Sequence, residues 1–221
     1  MSRIGRKPVP VPTGVNVTIN STINQAQNAA INGDVTIEST NSVTITKNVG
    51  SADDLIISNS GAGGINISGN LSSDNDLGGV GGIYITNTGA GSPTTISGNV
   101  VSGNSTTDLG EPVSIDVNGP LNITGSIVST TGDVNIFNAS KTAATVINNA
   151  AVFAYYDVNI TTHANTDINS WIYAGTGGAG GSAYIYNDAL SSATTTTIAG
   201  AVWAYDFVDI HNNRSEERRV G

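Results

Sequence analysis

The sequence predicts an all-β fold: a single-stranded parallel β-helix (β-solenoid) of about eight coils of roughly 25 residues each. Two isoleucine series and one absence predict it. Isoleucines at 37, 57, 85, 115, 136, 160, 185 and 210 close eight copies of an apolar–any–Ile motif. A second series, Ile45, Ile67, Ile96, Ile123, Ile147, Ile168 and Ile198, interleaves with the first without a miss. No helical pattern competes, because Gly, Asn, Ser and Thr interrupt every apolar run before it fills three turns.

The first series reads as a strand of period two, from Asp34-Val35-Thr36-Ile37 to Phe207-Val208-Asp209-Ile210. With each isoleucine facing inward, the residue two before it faces inward too, and all eight are apolar: Val35, Leu55, Ile83, Val113, Val134, Val158, Ala183 and Val208. The second series gives another strand, its isoleucine often followed by a small or polar residue and Gly. A third short run follows as Val100-Val101-Ser102, Ile127-Val128-Ser129, Val152-Phe153-Ala154, Ile172-Tyr173-Ala174 and Val202-Trp203-Ala204. An antiparallel sandwich also gives short, evenly spaced strands. It does not demand the same inward residue at the same point of every period.

Two residues after the first-series isoleucine the chain reaches a corner, and Asn59, Asn87, Asn138, Asn187 and Asn212 stand there. A buried amide needs hydrogen bonds, and stacked coils offer them from the amides above and below. These five are therefore expected to form an asparagine ladder; the plainer reading is that Asn favours turns.

Charge divides the chain. Lys47 and Lys141 are the only basic residues between 20 and 213, against 15 acids, a formal charge of −13. Such a surface repels nucleic acid and anionic lipid. No apolar run approaches the ~18 residues that span a bilayer, so no membrane insertion is expected. The chain has no Cys, which excludes disulfide stapling.

The remaining basic residues sit at the two ends. Met1-Ser2-Arg3-Ile4-Gly5-Arg6-Lys7-Pro8-Val9-Pro10-Val11-Pro12 resembles the N-terminus of the sixth protein of the large bacterial ribosomal subunit. The likeness covers residues 1–19 at most, and the RNA-binding domains of that family do not follow. Arg214-Ser215-Glu216-Glu217-Arg218-Arg219-Val220-Gly221 looks like a translated sequencing adapter. The expected division is thus a foreign leader over 1–19, the solenoid over 20–213 and an artefactual charged tail over 214–221. No signal peptide is read in this chain.

The body resembles the repetitive passenger regions of secreted bacterial adhesins, filamentous-haemagglutinin-like or autotransporter in type. Leu121-Asn122-Ile123-Thr124-Gly125-Ser126-Ile127 followed by Gly132-Asp133-Val134-Asn135-Ile136 carries that resemblance. It implies export across the outer membrane, a right-handed β-helix, an extracellular or cell-surface location and a role in adhesion.

Catalytic and metal chemistry find little to work with. Asp34, Asp54, Asp133 and Asp157 recur three residues before the anchor, where they read as turn caps; stacked, they are also the candidate acid/base pair of a glycoside hydrolase. Asp74 and Asp76 alternate oxygen ligands as a weak calcium candidate. His163 and His211 are isolated, and the glycine runs at 61–64, 78–82 and 177–181 read as flexible loops rather than phosphate cradles. No cofactor and no catalytic residue is expected.

The surface feature singled out is aromatic. Val101, Val128, Phe153, Tyr173 and Trp203 alternate outward, with Tyr155 and Tyr205 on the same side. Such a stripe stabilises its sheet by cross-strand pairing, or presents flat rings to a partner. The expected function is a non-catalytic structural and adhesive rod that shows this surface to a glycan or a protein. A truncated carbohydrate-active β-helix enzyme is the alternative, and a chimeric reading frame without selected function the third. An uncapped last coil further predicts end-to-end self-association.

Overall fold

The computed structural model describes residues 14, 16–21, 23–24, 33–73, 81–103, 111–176, 178, 180–189 and 194–213. Their strands lie in three parallel files that wind about a common interior, a β-solenoid of about seven turns. The first file contains β1 (Asn16–Ile19), β4 (Ser42–Ile45), β7 (Gly64–Ile67), β10 (Thr94–Ile96), β13 (Leu121–Ile123), the first halves of β16 (Thr145–Ala154) and β18 (Thr166–Ala174), and β20 (Thr196–Ile198). The second contains β2 (Ile23–Asn24), β5 (Val49–Gly50), β8 (Leu71–Ser72), β11 (Val100–Ser102), β14 (Ile127–Ser129), the second halves of β16 and β18, and β21 (Val202–Ala204). The third runs through β3 (Val35–Ser39), β6 (Leu55–Asn59), β9 (Ile83–Asn87), β12 (Val113–Val117), β15 (Val134–Asn138), β17 (Val158–Thr162), β19 (Ala183–Asn187) and β22 (Val208–Asn212).

Both isoleucine series are in register. Ile37, Ile57, Ile85, Ile115, Ile136, Ile160, Ile185 and Ile210 pair in succession as one column of the third file. Ile19, Ile45, Ile67, Ile96, Ile123, Ile147, Ile168 and Ile198 form the matching column of the first. From Ile45 to Ile185 both columns are buried. Each isoleucine taken out of water contributes about 1.5–3 kcal/mol, and no turn could bury its own without the next. The β1 strand pairs in register with β4 and so belongs to this stack.

Glycine closes the corner after the first file. A Cβ on Gly69, Gly98 or Gly125 would land on the carbonyl oxygen of Lys47, Gly69 or Gly98 in the preceding turn. That crowding explains the Ile–small–Gly rhythm. In two turns that carry no glycine at this corner the first and second files merge, and β16 and β18 run straight through it. The Ser170 hydroxyl supports this passage, donating to Ile147 O and accepting from Ala150 N. Asn149 absorbs a one-residue bulge with φ 52°.

The glycines at 61–64 form a packed turn, contrary to the flexible loop expected. A Cβ on Gly61 would strike the Thr40 carbonyl, and Gly64 has φ +83°. Among the described residues no helix is long and apolar enough to cross a membrane.

Candidate functional site

Alternation in the second file sends Val100, Ile127, Val152 and Ile172 inward, and their successors outward. Val101, Val128, Phe153, Tyr173 and Trp203 therefore stack in one outward column, each paired in register with the next. Phe153 and Tyr173 touch as tilted rings, centroids 6.1 Å apart. Trp203 ends the column 62% exposed.

Sequence reasoning missed Trp171. It lies two residues before Tyr173 on β18, on the same outward side, and is 66% exposed. The signal was present, since period two in a strand places both rings on one face. Tyr205 extends the surface at 64% exposure. Tyr155 is half-buried and turned against Tyr156, ring edge to ring face at 4.8 Å. Gly175 separates it from Tyr205 in the stack, because Gly175 N donates to Ala154 O and Tyr205 N to Ala174 O. The rings brought together as an open surface are Trp171, Tyr173, Trp203 and Tyr205, with Phe153 behind them.

The recurring aspartates are engaged with the backbone. Asp34 Oδ1 accepts from Asp54 N, Asp54 Oδ1 from Gly82 N, Asp133 Oδ1 from Asp157 N and Asp157 Oδ1 from Ser182 N. Each carboxylate thus caps the start of the next turn's strand.

The corner asparagines share one column, but their amides join directly only once. Asn59 Nδ2 donates to Asn87 Oδ1 at 3.0 Å. Val117 stands between Asn87 and Asn138, and Thr162 between Asn138 and Asn187, so a continuous ladder does not form. Asn138 instead donates to Gly119 O and Thr145 Oγ1, and Asn187 to Ala164 O and Thr196 Oγ1. Asn212 is exposed.

Asp74 and Asp76 lie outside the described residues, as do Gly78 and Gly177. Among the described residues no group of three His, Cys, Asp or Glu side chains could hold a metal ion. His163 sits 3.1 Å from Asn138 O, against the ring of Phe137. Glu111, which sequence reasoning did not single out, is fully buried. Its carboxylate accepts from Gly81 N at 3.2 Å and from Thr131 Oγ1 at 3.2 Å, and its carbonyl from the hydroxyls of Ser102 and Ser129. It has the partners of a structural anchor between turns.

No protein-family model, curated protein or solved structure matches the chain.

Proposed function

We propose that the chain is a non-catalytic structural and adhesive module, a rod segment that presents the Trp171, Tyr173, Trp203 and Tyr205 surface to a glycan or a protein. The observation that carries this reading is the registered outward column ending in exposed Trp203, with Trp171 beside it. Rings that served only the sheet would cover one another. Here the two tryptophans stand mostly in water, and large exposed aromatic surface marks interaction sites. Each aspartate that offered an acid/base pair accepts through Oδ1 from a backbone N–H of the next turn, the contact a turn cap makes, which favours the module over the truncated enzyme. The resemblance of residues 121–136 to exported adhesins supports a parent protein at the bacterial cell surface.

The test is retention of the chain on immobilised glycans and on host-surface proteins, compared with Trp171→Ala and Trp203→Ala. Exposed anchor rings contribute most of such contacts, so each variant is expected to bind at least about tenfold more weakly. Both should keep the parent's thermal midpoint. Equal retention of parent and variants would remove the proposal.

A further inference from the structure

A second group of rings lies on the third file, apart from the column just described. Tyr184 and Tyr186 point outward from β19, their rings near-parallel with centroids 6.2 Å apart. Phe207 stands edge-on to Tyr184 at 5.3 Å, and His211 stacks on Tyr186 at 5.4 Å with an interplanar angle of 8°. Asp209 pairs in register with Tyr184 and sits among these rings. One of its carboxylate oxygens accepts the Tyr186 hydroxyl at 2.7 Å; the other is 2.8 Å from His211 Nε2. Its side chain is 34% exposed.

We propose that Tyr184, Tyr186, Phe207 and Asp209 form a binding site for an organic cation, an alkylammonium or guanidinium head group. Ring faces attract cations through their quadrupole. A carboxylate that accepts a phenolic hydrogen pushes electron density into that ring, and a carboxylate has about four acceptor positions, so Asp209 can still meet a cation after its two contacts here. The surroundings match in sign. From residue 142 to 213 the chain carries Asp157, Asp167, Asp188, Asp206 and Asp209 and neither Lys nor Arg. A neutral sugar would stack on the same rings but gain nothing from this field, which is why a cation is the occupant favoured.

The experiment is a titration of the full chain with tetramethylammonium and, separately, with its neutral analogue tert-butanol, followed by the ring resonances of Tyr184 and Tyr186. Saturable shifts are expected with tetramethylammonium and none with tert-butanol at equal concentration. Asp209→Asn should weaken binding about tenfold, whereas Asp167→Asn, on the first file, should leave it unchanged. Tyr186→Ala, which keeps the carboxylate but removes a ring, should also weaken it. Equal shifts with both probes would mean an apolar patch, and equal losses in the two Asp variants would mean the diffuse field of an acidic chain. Either result, or an absence of saturable shifts, overturns the assignment.

Discussion

Asn59 and Asn87 are the one pair of corner asparagines joined amide to amide, at 3.0 Å inside the buried corner. Asn87 also closes the loop that follows, donating to Ser92 O, Pro93 O and Thr94 Oγ1. Asn87→Ala removes these donations, although Pro93 O keeps Ile65 N, and leaves Asn59 one acceptor short. A loss of about 1–3 kcal/mol is expected from urea denaturation. Asn212→Ala, at the exposed end of the same column, should stay within about 0.5 kcal/mol of the parent.

The isoleucine columns set the largest single-residue terms. Ile115 is buried between Ile85 and Ile136. Ile115→Ala should cost about 2–5 kcal/mol, because turns above and below hold the cavity open. Thr95→Ala, on the outside of β10, serves as the control and should change the denaturation midpoint little.

Gly98 tests the corner. Its added methyl meets the Gly69 carbonyl of the preceding turn, a backbone atom that moves only if the stack opens. Gly98→Ala is expected to destabilise by about 1–3 kcal/mol. Thermal unfolding checks it; an unchanged midpoint would mean that the turns are not packed this closely.

The Tyr186 phenol titrates above its ordinary value of 10.0, first because it donates to Asp209 and second through burial. Desolvation, with the Asp54 charge behind it, raises Tyr84 likewise. In both the neutral form is favoured by folding. The stability this adds is fully present below the ordinary tyrosine value and disappears as pH climbs through the raised one. Tyrosinate absorbance in an alkaline titration should therefore show two late-titrating groups. Asp209→Asn should return one of them toward the ordinary range and leave the other.

In β22, Val208 and Ile210 continue the inward columns yet are 43% and 47% exposed. Parallel strand edges with apolar side chains pair with other chains. Sedimentation at micromolar concentration is expected to show oligomers, and Ile210→Lys to shift them toward monomer. A monodisperse parent chain would contradict this.

The fold was legible because one residue type marks one position: Ile85, Ile115 and Ile136 pile up as their spacing requires. The breaks in the asparagine column were legible too: Val117 and Thr162 stand two residues after Ile115 and Ile160, where five of the eight copies carry Asn. The expectation of a ladder passed over them, since an inward corner position accepts any side chain that fills or satisfies it. Glu111 was illegible. Its contacts with Gly81 and Thr131 cross two turns, and no local pattern encodes such a reach. The rings around Asp209 were passed over because Tyr184 and Tyr186 fall inside a motif read only for its inward residues.

The place of Glu111 bears on how such a rod would yield to force. Neighbouring turns bear an axial pull in series, so the chain should peel one loop at a time from whichever end is gripped. At Glu111 that progress is checked: its carboxylate holds Gly81 of the turn before and Thr131 of the turn after. Peeling there must rupture one of these links as the first turn leaves and the other as the next one does, and extension records should register two successive taller steps.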